Sequence, residues 1–91
     1  YSTATAKGAK VVLVAEDTVT NEKEFIEFGV TDDGSNIFHT EYGNLRTDYQ
    51  IVVPTFEYTA TNEARLNITL GANVPATNTV KITFSSTITK K

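Results

Sequence analysis

Apolar and polar residues alternate with a period of two along most of this chain. Ala64, Leu66, Ile68 and Leu70 alternate with Arg65, Asn67 and Thr69. After an intervening turn, Val80, Ile82, Phe84 and Ile88 take up the same rhythm. Such alternation marks strands with one buried face and one wet face. The two segments read together as a C-terminal hairpin. The segment Lys10–Glu16 is patterned differently. Val11, Leu13 and Ala15 fall on one of its faces, Val12 and Val14 on the other. A strand apolar on both faces is expected at the centre of a sheet, or covered on both sides.

Between these ends the pattern predicts four more strands. Lys23–Thr31 places Ile26, Phe28 and Val30 inward, with Glu24 and Glu27 less comfortable. A short helix over Asn21–Phe28 competes, with Asn21 as N-cap and Glu24 three residues on. The β-forming Phe, Ile and Val decide for the strand. Asp32–Asn36 is a turn built on Asp-Gly. Ile37–Tyr42 follows, with Phe38, Thr40 and Tyr42 on one face, and Gly43-Asn44 turns the chain again. Leu45–Val53 is a long strand that Pro54 should end or bend, or else Pro54 sits on an edge, because proline cannot donate a ladder hydrogen bond. Thr55–Thr61 puts Phe56, Tyr58 and Ala60 inward.

Seven strands at this spacing predict an all-β fold: a single-domain antiparallel β-sandwich, Ig-like or jelly-roll-like, over residues 10–91. Residues 1–9 are small, polar and unpatterned, and are expected to form a flexible N-terminal arm.

Ninety-one residues suffice for one such domain, burying roughly 60–65% of the unfolded surface. The chain has no cysteine, methionine or tryptophan and is rich in threonine. It is expected to begin inside a longer gene product or after processing, and to work outside the cell, at a cell surface or in a virion. No apolar run approaches the ~20 residues of a membrane helix. The net charge of −3 argues against nucleic acid as a partner. Its distribution says more. All eleven acids lie within residues 11–63, whereas 64–91 hold Arg65, Lys81, Lys90 and Lys91 and no acid. Complementary charged regions of this kind are suited to steering identical subunits head-to-tail.

The segment Leu66–Phe84, passing through Val74-Pro75-Ala76, resembles the closing strands of bacterial immunoglobulin-like β-sandwiches. Thr77-Asn78-Thr79 stands where that family usually has a Gly-Thr-Tyr style turn, and the immunoglobulin disulfide and core tryptophan are absent. The resemblance implies a sandwich and transfers no functional residue.

Little in the chain suggests chemistry. His39 is the only histidine, so a hydrolytic triad would depend on it alone, and no serine sits in a nucleophile elbow. His39 is expected to face solvent or a sheet surface. No metal site of ordinary zinc or copper type is expected. Asp32, Asp33 and Asn36 offer oxygen ligands for calcium, but the same residues account for a turn. Asn67-Ile68-Thr69 is a glycosylation sequon. No cofactor is expected.

The reading that follows is a non-enzymatic structural subunit, a homo-oligomer assembling head-to-tail into a filament, pilus-like fibre or virion shell by β-strand addition. The candidate assembly strands are Val11, Val12, Leu13 and Val14, or Val80, Ile82, Phe84 and Ile88. The alternative is an adhesin-like or carbohydrate-binding module using Tyr42, Tyr49 and Tyr58.

Overall fold

The computed structural model describes residues 1–91. It contains strands and turns only. There are six strands: β1 (Ala6–Asp17), β2 (Glu22–Asp32), β3 (Ile37–Arg46), β4 (Val52–Tyr58), β5 (Ala64–Leu70) and β6 (Val80–Lys90). They form two antiparallel sheets, one in the order β3-β2-β1-β6 and one of β4 and β5. No helix is long and apolar enough to cross a membrane.

The two sheets share one core. Val11, Leu13 and Ala15 of β1 and Ile26, Phe28 and Val30 of β2 are buried together with Ile51, Val52 and Val74. The rings of Phe28 and Phe56 meet edge to face at 5.3 Å between centroids, joining the sheets across the layer. In β1 the expectation of a central strand holds. It pairs with β2 on one side and β6 on the other, with Val12 and Val14 half-buried on its outer face.

Six strands, rather than seven, arise from the treatment of residues 43–54. Gly43 and Asn44 do not turn. They continue β3 through a β-bulge opposite Glu27 and Phe28, which absorbs one extra residue. The expected strand Leu45–Val53 is broken instead, because residues 47–51 leave the sheet to enter the second layer. Pro54 then lies inside β4, opposite Ile68. A proline fits there because its nitrogen points away from β5, toward an edge with no neighbour.

The expected C-terminal hairpin does not form. β5 pairs with β4 and β6 pairs with β1, so Gly71–Thr79 carries the chain from one sheet to the other. A period-two pattern gives each strand's faces but not its partner.

The N-terminal residues are tied down at several points, and β1 begins at Ala6 rather than Lys10. The Tyr1 nitrogen donates to the Ala64 carbonyl at 2.7 Å, and the Ala64 amide returns a bond to the Tyr1 carbonyl at 2.8 Å. Ser2 bridges Glu63, and the Thr3 amide donates to the Asn62 carbonyl at 3.0 Å. The Tyr1 hydroxyl reaches Asp32 Oδ1 at 2.8 Å. Residues 1–3 are thus bridged to Asn62–Ala64 at the start of β5.

Candidate functional site: an open edge beside an apolar strip

In antiparallel sheets, directly opposite residues share a face. Ile82 lies opposite Ala15, Phe84 opposite Leu13 and Ile88 opposite Ala9. The apolar side chains of β6 therefore point to the core side of their sheet. Yet they are open, Ile82 at 38%, Phe84 at 64% and Ile88 at 41% exposure. The cause is width. The four-stranded sheet is faced by only two strands and the three-residue N-terminal piece, so the second layer stops before it covers β6.

The uncovered strip borders a slot of about 140 Å³ between the sheets, lined by Tyr1, Val11, Phe56, Leu66, Phe84 and Ile88 among others. On its far side runs the edge of β5. Ala64 exchanges both backbone bonds with Tyr1, so its N–H and C=O point away from β4. By the alternation of an antiparallel ladder, those of Leu66, Ile68 and Leu70 point the same way. They face the slot's margin and have no backbone partner.

The other two edges are protected. Pro54 blunts β4. The inner face of β3 carries His39, Glu41, Asn44 and Arg46 opposite Val30, Phe28, Ile26 and Glu24, and the strand is bulged. Edges with bulges, prolines and inward charges resist pairing. Along Leu66–Leu70 of β5 and Ile82–Ile88 of β6 there is neither a proline nor a charge on the inner face, and both segments flank the same slot.

Two buried carboxylates fix this arrangement. Glu24 is fully buried. Its Oε1 accepts from the amides of Ile51 at 2.9 Å and Val52 at 3.1 Å. Its Oε2 accepts from Arg46 Nε at 2.8 Å and Asn44 Nδ2 at 3.1 Å. Burial opposes its charge, but the Arg46 bond and the three N–H donors outweigh that and hold its pKa below the usual 4.5. Glu24 thereby clamps the entry to β4 onto the large sheet. Asp17, also buried, accepts from Tyr49 Oη at 2.7 Å, Asn78 Nδ2 at 2.9 Å and the Val19 amide at 3.1 Å. Asn78 foremost holds its pKa below 3.8, against the opposing effect of burial. Asp17 clamps the Gly71–Thr79 crossover beside the start of β6.

The sequence-predicted residues are distributed as follows. Val11 and Leu13 lie in the core, and Val80, Ile82, Phe84 and Ile88 lie along the open strand. The three tyrosines are not brought together. Tyr42 is exposed on the outer face of β3, against Gly29. Tyr49 bonds Asp17 in the 47–51 turn. Tyr58 bonds the Thr3 hydroxyl at 3.1 Å, at the end of β4. His39 is exposed, as expected, although it lies on the Val30 side of β3, where its ring stacks on Phe56 at 4.4 Å. Asp32 and Asp33 spend their oxygens on Tyr1, Gly34, Ser35 and Asn36.

Comparison with known proteins yields no relative: no family model, curated protein or solved structure matches the chain. The resemblance at Leu66–Phe84 covers the end of one sheet, the crossover and the start of the other. Sequence reasoning missed Glu24 as a structural clamp, although a signal was present. Glu24 shares the phase of Ile26, Phe28 and Val30, and a charge on an apolar phase must find partners.

Proposed function

We propose that the protein is a non-enzymatic structural subunit, an open β-sandwich that assembles with copies of itself by β-strand addition. One observation carries the reading: the apolar inner face of β6 lies uncovered beside the unpaired edge of β5. Covering Ile82, Phe84 and Ile88 would contribute about 1 kcal/mol each, and pairing an open edge adds main-chain hydrogen bonds. Of the two candidate assembly strands, β1 is paired on both edges and holds the core, so its release would dismantle the sheet. β6 is paired on one edge only, and the reading rests on it. The product is a head-to-tail homopolymer, a filament, pilus-like fibre or virion shell, in an extracellular, cell-surface or virion setting.

Light scattering coupled to size exclusion, with negative-stain microscopy, tests this. The full chain is expected to form species larger than a monomer, and Phe84→Asp is expected to remain a folded monomer. A chain that stays strictly monomeric at high concentration removes the proposal.

A second reading, a carbohydrate-binding or adhesin-like module, is favoured by one feature. A shallow depression of about 580 Å³ lies over Gly8 and Gly29, flanked by Phe38, Tyr42 and Lys10. Its test is a sugar titration monitored by tyrosine fluorescence, in which Tyr42→Ala should abolish any signal.

A further inference from the structure

The β4–β5 hairpin is inserted between two strands of the large sheet. β3 ends at Arg46, opposite Glu24, and β6 begins at Val80, opposite Asp17. Both junctions lie beside the β1–β2 turn, so residues 47–79 leave and rejoin the large sheet at the same end of the molecule. Glu24 and Asp17 anchor them there. The Thr47 amide on the Lys23 carbonyl and the Thr18 amide on the Thr79 carbonyl, each at 3.0 Å, add to that anchor. The turn of the hairpin lies at the opposite end, where Tyr1 joins Ala64 to Asp32 at the close of β2.

Between these ends the hairpin is lightly held. Every hydrogen bond that Val52–Leu70 makes with the rest of the chain falls at one end or the other. At the base, the Val52 amide meets Glu24 and the Val52 carbonyl meets Gln50. At the tip, Tyr1 and Ala64 exchange their backbone bonds. The Thr3 amide and hydroxyl both donate to the Asn62 carbonyl, at 3.0 and 2.9 Å, and the hydroxyl also bonds Tyr58 at 3.1 Å. Apolar packing is graded in the same way. Ile51 and Val52, fully buried, belong to the base. Farther along, Phe56, Leu66 and Ile68 are half-buried, and Ala64 alone is buried, beside Tyr1.

We propose that Tyr1–Thr3 is a strap, and that the β4–β5 hairpin is a flap that opens from its tip when the strap lets go. The strap holds both bodies. It runs directly into β1, with the Ala6 amide turning back onto the Ser2 carbonyl at 3.1 Å, and the Tyr1 hydroxyl reaches Asp32 of β2 at 2.8 Å. Its remaining bonds go to the flap tip. A segment with few buried apolar contacts and few bonds to its surroundings opens at a lower free energy than the whole domain. A two-stranded hairpin is marginal alone in water, so a lifted flap loses its own ladder and its amides exchange. Opening widens the slot, which Tyr1, Phe56, Ala64 and Leu66 help to line, and uncovers Phe28 beneath Phe56. The base stays in place, clamped by Glu24 and Asp17. The device controls access to the apolar face of the large sheet whether or not copies assemble.

Native-state hydrogen exchange tests the flap. Ala64 directs its backbone groups at Tyr1, so the amides bonded across the hairpin include those of Thr55, Glu57, Arg65 and Asn67. They are expected to be at least ~10-fold less protected than the slowest amides of β1, with a weaker dependence on denaturant. Equal protection of both sets overturns the flap. A crosslink tests the strap. Tyr1 and Ala64 form a hydrogen-bonded pair, so Ser2 and Glu63 bridge as the closer, non-hydrogen-bonded kind. Their Cα atoms are then about 4.5 Å apart, within reach of a disulfide. Ser2→Cys with Glu63→Cys, in a protein with no native cysteine, should on oxidation raise the protection of the hairpin amides to that of β1. Reduction should restore the difference. A difference that survives oxidation overturns the strap. Thr3→Val keeps the volume of a buried side chain and removes its hydroxyl. It is expected to speed exchange in the hairpin about tenfold, and an unchanged rate also overturns the strap.

Discussion

Glu24 is the residue on which the second layer depends. It satisfies two amides of the segment that leaves β3 and enters β4, and it is held from the other side by Arg46 and Asn44. Glu24→Ala would leave both amides buried without a partner. A loss of about 3 kcal/mol is expected, read as a fall in Tm of at least ~12 °C for a domain this size. Glu24→Gln keeps an oxygen for the amides and should lose less. The pH dependence has a definite sign. Glu24, Asp17 and Asp33 all have pKa values depressed by folding. Their stabilisation is therefore complete above the unfolded values of 4.5 for Glu and 3.8 for Asp. It is lost as pH falls through the folded values. Thermal melts should be flat from neutral pH down to about 5 and decline below about 4. A Tm that rises on acidification would contradict this assignment.

At the level of elements, the alternation made most strands legible. The phases of β1, β2 and β6 follow directly from Val11–Ala15, Ile26–Val30 and Ile82–Ile88. What the pattern lacked was pairing. β5 and β6 look like two arms of one hairpin, yet each found a partner elsewhere, because a face is encoded locally and a neighbour is not. The N-terminal residues looked inert for a similar reason. Tyr1 and Thr3 act through backbone bonds to Ala64 and Asn62, which no side-chain pattern records. The open site was half legible: the apolar residues of β6 were evident, but only the width of the opposing sheet shows that nothing covers them. Gly71 is a further element-level constraint. It is buried where the crossover leaves β5, and a Cβ there would meet the Gln50 carbonyl oxygen at 2.1 Å. Gly71→Ala is expected to cost about 1–3 kcal/mol, measured by urea denaturation, with no direct change to the β6 surface.

For the whole molecule, the two sheets are unequal, and the inequality has a direction. The protected edges, β3 and β4, lie together on one side, where His39 stacks on Phe56. The unprotected edges, β5 and β6, flank the slot on the other. Charge follows the same axis within the large sheet. β6 carries Lys81 and Lys90 without an acid, while β2 and β3 hold Glu22, Glu24, Glu27, Asp32 and Glu41. Steering between copies by these charges should weaken with salt. The rate of assembly, followed by light scattering, is expected to fall between low and high ionic strength, while the final extent, set by apolar burial, changes less.

The register of β1 with β6 also has a mechanical consequence. Ala6 lies opposite Lys90, and the Lys91 amide donates to the Thr5 carbonyl at 3.2 Å. Ala6 and Lys90 therefore lie at the same end of one strand pair. Tension applied between them would load that ladder one rung at a time, as a zipper opens, and β6 should peel off at low force. Tension carried along two strands joined edge to edge between copies would load several rungs at once, in shear. A polymer joined by strand addition would be weak when a single copy is gripped at Ala6 and Lys90 and strong along its own axis.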